Sequence, residues 1–341
     1  MGVIKDKRQR PLRDVRISVT DRCNFRCGYC MPKDAFKNHQ FLKSSELLSY
    51  EDIERLIRVF SGLGVTKVRL TGGEPLLRPD LENLIERLAR VDGIEDVALT
   101  TNASLLSQDR AKSLKDAGVR RINISFDAIT QEIYQQINEI NYPMQDVLDG
   151  IINAIAADFE VVKINMVVQK GVNESDILPM VDHFKGSGAV LRFIEFMDVG
   201  NHNQWNKEKV FSSQEIVDTI HSRYPLKAVG ENYPGEVAKR WKFLDGQGEI
   251  GVISSITQPF CGDCSRARIS AIGELYTCLF ARSGYDLKAL LSQQDDGPLI
   301  ARLREIWGDR TDQYSMERFK FPVSHQPQRT SQKVEMSYIG G

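Results

Sequence analysis

The 341-residue sequence has no surplus of either charge, with 45 Lys and Arg against 46 Asp and Glu and a formal net charge of -1. Without a global basic field, composition gives no support to nucleic-acid or anionic-membrane binding, and any anion site has to be local. Long apolar runs are missing as well. No stretch approaches the length of a membrane span, and residues 1–13 are polar and basic without the apolar core of a secretory signal, so a soluble cytoplasmic protein is the expectation. There is no internal repeat and no low-complexity tract. Cysteine is confined to six positions, 23, 27, 30 and 261, 264, 278, with none between. Falling in threes favours metal ligation over disulfide bridges. What is present is 41% hydrophobic residues, enough for a sizeable core in one large domain or two ordinary ones.

The first triplet, Cys23, Cys27 and Cys30, follows a strand-like segment and has C-x3-C-x2-C spacing. No histidine lies within it, and the nearest that follows is His39. A structural zinc site usually offers two C-x2-C pairs or C/H partners that close a tetrahedron. Three thiolates instead suit a 4Fe-4S cluster with one iron left for a ligand that is not protein. The second triplet, Cys261, Cys264 and Cys278, also lacks a fourth cysteine or local histidine. It reads as a second open cluster, with a zinc knuckle as the alternative.

Between the triplets, short β-branched runs alternate with helical patterns. Strands are expected near 14–20, 65–70, 95–101, 120–126, 160–168 and 189–196. Apolar residues at helical spacing stand at Ile53, Leu56, Ile57, Phe60 and Leu63, at Leu81, Leu84, Ile85, Leu88 and Val91, and at Val147, Leu148, Ile151, Ile152 and Ile155. Six βα units imply a parallel sheet, curled as an incomplete barrel or open and doubly wound. The strands alternate where doubly buried strands would be continuously apolar. Arg16, Ser18 and Thr20 share a face, as do Lys67 and Arg69, Thr100 and Asn102, Asn123 and Ser125, and Lys163 and Asn165; Arg192 adds a fifth cation. Such a face suits the lining of a wet, anion-binding cavity. The plainer alternative makes single cations snorkelling ends or ion-pair partners of Glu74 and Glu195. After Phe196, residues 197–205 form a polar loop and a candidate lid. A helix near 213–222 follows, Asn232-Tyr233-Pro234-Gly235 marks a boundary, and the runs 237–244, 250–256 and 267–271 read as antiparallel strands of a smaller unit. Domains of 1–230 and 231–341 are expected.

Thr71-Gly72-Gly73-Glu74-Pro75 ends the second strand, and its glycines let backbone pass close to a ligand. Alone it is a weak signal. One βα unit after CNFRCGYC it resembles the GGEP motif of the radical S-adenosylmethionine (SAM) enzymes, whose backbone holds the amino group of SAM's methionine while the open iron chelates SAM. The further set RLTGGEP, LTTN, RRINIS, FIEFMDVG, CGDCSRAR with a third cysteine, and the terminal Gly340-Gly341 is similar to the branch of that family that cyclises GTP at the start of molybdenum-cofactor biosynthesis. The likeness runs from about Asp14 to Gly341. One departure is Ala103, where the family often has glycine.

That resemblance implies an α/β fold, an incomplete (β/α)6 TIM-type barrel with a smaller C-terminal domain containing antiparallel strands, and two 4Fe-4S clusters as cofactors. Cys23, Cys27 and Cys30 would hold the SAM-binding cluster, and Cys261, Cys264 and Cys278 the other. SAM would meet Tyr29, Gly73, Ser125 and Met197. GTP would meet Arg16, Arg69, Thr100, Lys163, Arg266, Ala267 and Arg268, with Lys67 and Arg192 as further contacts. Arg268 is the candidate catalytic residue, and the GG tail would reach the active site. Implied partners are an electron donor and the next pathway enzyme, cyclic pyranopterin monophosphate synthase, with a monomer or homodimer as the assembly. The rivals are a peptide-modifying maturase of the same family and a non-catalytic iron–sulfur or zinc protein.

Overall fold

The expected alternation becomes six strands in the computed structural model, which describes residues 2–233, 235–319 and 333–340. They are β1 (Asp14–Ser18), β2 (Lys67–Thr71), β3 (Asp96–Thr101), β4 (Arg121–Ser125), β5 (Val161–Val168) and β6 (Val190–Glu195). Each pairs in parallel with the next. Parallel pairing requires the chain to return over the sheet, and helices do so, among them Tyr50–Gly62, Leu81–Ala89, Gln108–Ala117, Met144–Ala156 and Ile177–Phe184. Ser49 and Ser107 start two of them by accepting the backbone N–H groups of Asp52 and Arg110. Their apolar stripes, including Ile53, Leu56, Ile57 and Phe60, close over the sheet's outer residues Val15, Ile17, Val68, Leu70, Ile122, Ile124, Ile164 and Met166, all buried.

The C-terminal strands are β7 (Leu226–Val229), β8 (Lys239–Phe243), β9 (Glu249–Ile253), β10 (Arg266–Ile269), β11 (Glu274–Tyr276) and β12 (Tyr285–Asp286). The expected antiparallel pairing is present in β7–β8–β9 and β10–β11–β12. These strands do not stand apart, however. β9 also pairs in parallel with β6, and β10 in parallel with β1, giving one twelve-stranded sheet ordered β12-β11-β10-β1-β2-β3-β4-β5-β6-β9-β8-β7. The open edges of a partial barrel carry unpaired backbone groups, and β9 and β10 satisfy them. Because β7 pairs with β8, the sheet also runs across residue 230.

Chain length shows that this sheet is curled. β9 and β10 are consecutive in sequence, yet β10, β1 to β6 and β9 are eight neighbouring strands. Laid flat at about 4.8 Å per strand they would be roughly 34 Å apart. Residues 254–265 bridge them while spending length on a turn from Gln258 N–H to Ser254 O and a one-turn helix at Cys261–Asp263. The link also carries the second cysteine triplet's first two members across the gap.

Candidate active site

At the C-terminal ends of β1 to β3, three loops are tied together by side chains. Gly72 (φ +151°) and Gly73 lie against the loop after β1. A Cβ at Gly72 would fall 2.4 Å from Thr20 O, and one at Gly73 2.2 Å from Arg22 O, so only glycine fits both positions. Glu74, 1% exposed, accepts from Leu76 N, Thr101 Oγ1 and Asn102 N at 2.7–3.0 Å. Burial pushes its carboxyl up to about 7 against those three hydrogen bonds. Asn102 Nδ2 donates to Asn24 Oδ1 at 2.9 Å, and Asn24 Nδ2 to Ser104 Oγ at 2.8 Å, which joins the cysteine loop to the loop after β3. Glu195 has a similar task, accepting from Ser213, Ile256 and Thr257. Neither glutamate takes an ion-pair partner among the described residues.

Cys23, Cys27 and Cys30 are unbridged and partly buried. Burial, then Glu74, pushes the Cys23 thiol up to about 12. Burial raises Cys27 well above the usual thiol range, aided by Asp127, Cys23 and Cys30; Cys30 rises through burial, Cys23, Glu335 and Asp127. The thiols therefore repel one another across a common space. Among the described residues no three His, Cys, Asp or Glu groups converge on a single-ion site. Three thiols on one loop that become anionic only against a strong positive charge fit a multi-iron cluster. Tyr29 OH donates to Asp127 Oδ2 at 2.7 Å, and Asp127 Oδ1 accepts Val167 N, which steadies the seat from β5. Ser125 ends β4 and Met197 follows β6, so Tyr29, Gly73, Ser125 and Met197 belong to the same end of the sheet. The Met197 carbonyl accepts Asn203 Nδ2 at 2.8 Å.

The inner face of the sheet carries the cations in register. Arg268, Arg16 and Arg69 stand side by side across β10, β1 and β2; Arg266, Asp14 and Lys67 form the row before them. Asn123 and Lys163 are neighbours, as are Asn165 and Arg192. Ala267, between the two arginines of β10, points to the buried side and is fully covered. Burial and then Arg69, Arg268 and Arg266 hold Arg16 well below its ordinary value. Burial and then Arg69 bring Arg192 to about 10; burial and Arg266 do the same for Arg268. Burial, then Arg192, Lys67, Arg69 and Arg121, depresses Lys163 to about 7. Arg69 on β2 is thus within electrostatic reach of Arg192 on β6, as curling of the sheet requires. Arg16 Nε, Arg69 Nε, Arg192 Nε, Arg268 Nη1, Thr100 Oγ1 and Asn165 Oδ1 are buried without a hydrogen-bond partner among the described residues. Buried orphan donors are rare in folded proteins, and an anion in the cavity would satisfy the guanidinium N–H groups and the Thr100 hydroxyl, whereas Asn165 Oδ1 calls for a donor.

Three groups in this wall were absent from the sequence reading. Arg121 shares the polar face with Asn123 and Ser125, so strand alternation alone could have found it. Asp14 could have been found the same way: burial raises its carboxyl, but Arg69, Arg16, Lys67 and Arg266 outweigh that and hold it below its ordinary value. Asp96 meets Lys67 at 2.9 Å and Arg121 at 3.3 Å, so Lys67 is an internally paired cation. At the same end, the Tyr233 ring lies 5.9 Å from Lys67 Nζ.

At the second triplet, burial raises the Cys264 thiol, but Arg266 and Arg310 overcome it and bring the thiol down to about 6. Burial and Asp312 push Cys278 up to about 12. Arg266 Nη2 lies 3.7 Å and Arg310 Nη2 3.4 Å from Cys264 Sγ. A thiolate ligand is thus favoured at Cys264, which suits cluster binding at this seat.

The loop expected as a lid is bound to the C-terminal segment. Asp198 meets Arg318 at 2.8 Å and Lys333 at 2.9 Å and accepts Tyr314 OH at 2.6 Å, while Glu335 accepts Asn201 N and Nδ2. Gly340 (φ +74°) is packed so that a Cβ would fall 2.2 Å from Thr71 Cγ2, at the start of the GGEP turn. Gly341 and Pro234 lie outside the described residues.

A family model described as Radical SAM superfamily matches residues 17–184, and one described as Molybdenum Cofactor Synthesis C matches 189–316. The chain is 50% identical over 338 residues to a protein of Xanthomonas axonopodis pv. citri named GTP 3',8-cyclase, covering 99% of both chains. It is 47% identical over 342 residues to a protein of the same name from Staphylococcus epidermidis, again covering 99% of both. Among solved structures, Streptococcus suis SuiB bound to the precursor peptide SuiA aligns with a TM-score of 0.62 at 15% identity, over 89% of this chain and 66% of that one. This last likeness concerns the fold alone. Among the described residues no helix is long and apolar enough to cross a membrane.

Proposed function

Because the chain belongs to the GTP 3',8-cyclase family of radical SAM enzymes, we propose that its cavity converts GTP to (8S)-3',8-cyclo-7,8-dihydroguanosine 5'-triphosphate, the first step of molybdenum-cofactor biosynthesis. The observation that carries this reading is the set of buried guanidinium nitrogens of Arg16, Arg69, Arg192 and Arg268 that have no partner among the described residues and face the cavity between two cysteine triplets. A 4Fe-4S cluster on Cys23, Cys27 and Cys30, with SAM on its open iron, would supply the radical that takes hydrogen from the ribose C3' of GTP.

The protein's own residues bind, orient and exclude water. Tyr29, Gly73, Ser125 and Met197 line the SAM end. Gly73 N–H is already bound to Thr20 O, so this turn would offer an ammonium its carbonyls. Arg16, Arg69, Lys163 and Arg192, with Thr100, hold the triphosphate. Lys67 contributes less because Asp96 already meets its charge. Arg266 and Arg268, with only the backbone of Ala267 between them, would orient the base toward a second cluster held by Cys261, Cys264 and Cys278, and Arg268 would be the residue that serves the reducing step. Labour thus divides near residue 230: 1–230 generates the radical and 231–341 sets the product. Gly340 brings the tail to Thr71. An external electron donor is required, the product passes to cyclic pyranopterin monophosphate synthase, and a monomer or homodimer suffices in the cytoplasm. Anaerobic incubation with dithionite, SAM and GTP should give 5'-deoxyadenosine and the cyclised nucleotide together. No 5'-deoxyadenosine, or 5'-deoxyadenosine formed equally without GTP, would overturn the assignment.

Lys163 makes GTP binding pH-dependent. Its folded value of about 7 lies below the ordinary lysine value, so it is mostly neutral at pH 8 in the free protein. A triphosphate beside it favours the ammonium. Binding at pH 8 should therefore take up roughly one proton, and this uptake should fade below pH 6, where the lysine is already charged. Calorimetry in two buffers of different ionisation enthalpy measures it, and Lys163→Met should abolish the difference. The free protein binds fewer protons here than the unfolded chain between pH ~7 and ~10.4, so this group makes stability rise with pH across that window.

A further inference from the structure

Two arginines from opposite ends of the chain converge beneath the second cysteine triplet. Arg10 and Arg310 are 2% and 5% exposed, and both reach Asp6 Oδ2, Arg10 Nε at 2.6 Å and Arg310 Nη1 at 3.4 Å. Arg310 Nε also lies 3.3 Å from the more exposed Asp312 Oδ2. Ion pairing alone would make this a clamp between the N-terminal segment, closed by the Lys5 to Pro11 bridge, and the end of helix Gly297–Gly308. The remaining donors point elsewhere. Arg10 Nη1 donates to Cys261 O at 2.8 Å, Arg310 Nη1 to Cys264 O at 2.7 Å, and Arg310 Nη2 to Cys264 Sγ at 3.4 Å. Two of the three cysteines are therefore gripped by a buried ionic node, one of them at its sulfur.

We propose that Asp6, Arg10 and Arg310 are positioning residues for the second triplet, and that Arg310, by donating to Cys264 Sγ, raises the reduction potential of an iron–sulfur cluster held there. This rests on the reading that Cys261, Cys264 and Cys278 bind such a cluster. Hydrogen bonds to ligating sulfur stabilise the more negative, reduced state and are a principal means by which proteins set cluster potentials. The node also presents a guanidinium fork, which a lysine cannot copy: one ammonium cannot hold the Cys264 carbonyl and sulfur in the same fixed geometry.

The test uses the full chain with Cys23, Cys27 and Cys30 replaced by alanine, reconstituted anaerobically with iron and sulfide, so that only the second seat can be loaded. Iron, acid-labile sulfide and the midpoint potential from EPR-monitored titration are read for this parent and for its Arg310→Lys, Arg310→Gln and Arg302→Gln derivatives. Arg302 lies on the same helix with an exposed partner, Glu305, and serves as the control. The proposal expects Arg310→Lys to retain the cluster at a lower midpoint, Arg310→Gln to lower it further or lose iron, and Arg302→Gln to match the parent. Should Arg310→Gln fail to fold, Arg310→Lys decides. An unchanged midpoint and iron content in Arg310→Lys overturns the role of Arg310. A parent that binds no iron and sulfide overturns the second-cluster reading itself.

Discussion

Cys27→Ala is expected to abolish SAM cleavage, with 5'-deoxyadenosine falling to the level of cluster-free protein. Cys27 is the middle thiol of the seat. It donates to Asn138 Oδ1 at 3.3 Å, and its carbonyl accepts the N–H groups of Cys30 and Met31. Alanine keeps that backbone turn and removes only the sulfur, so a folded protein with one ligand missing should result. Cys264→Ala supplies the contrast. Its sulfur lies at the other mouth of the cavity, so SAM cleavage should persist while GTP turnover is chiefly impaired. Quantifying 5'-deoxyadenosine and cyclised nucleotide in one anaerobic assay separates the two, and equal cleavage in wild type and Cys27→Ala would remove the cluster from the first triplet.

Arg69→Ala should weaken GTP binding about 10- to 100-fold, the worth of one charged hydrogen bond of roughly 1.5–3 kcal/mol. Arg69 is the centre of the cavity's field. It acts on Asp14, Arg16, Lys67, Lys163, Arg192 and Tyr233, and its own Nε is buried without a partner among the described residues. Paired with Arg16→Ala, the loss should be less than additive, because Arg69 is the cation that, after burial, does most to hold Arg16 below its ordinary value. Calorimetric titration of reconstituted protein with GTP gives both numbers. An Arg69→Ala affinity equal to that of wild type would leave the unpaired guanidiniums without a ligand.

Much of this arrangement could be read before any coordinates, because a strand's two-residue period is local. The run expected at 95–101 is strand Asp96–Thr101, and the polar faces of β1, β2, β4 and β5 lie where alternation put them. The same period puts Asp14 on the face of Arg16 and Arg121 on the face of Asn123. What alternation could not supply was pairing over distance. Lys67 finds Asp96, Glu74 and Glu195 bind loops instead of cations, and β9 and β10 close the two edges of the barrel sheet in parallel as well as pairing in hairpins. Asp6, Arg10 and Arg310 are charged residues in unremarkable polar stretches, and only the fold buries them together. The triplets carried more information than any strand, since three thiols at short spacing and no fourth partner already ask for an open cluster.

In the proposed reaction a radical made at the first triplet acts on a GTP held by the cavity's arginines. Its most direct test is turnover of GTP carrying deuterium at ribose C3', with mass analysis of the 5'-deoxyadenosine formed. One deuterium is expected in that product. 5'-Deoxyadenosine that forms with GTP present but carries no deuterium would contradict it.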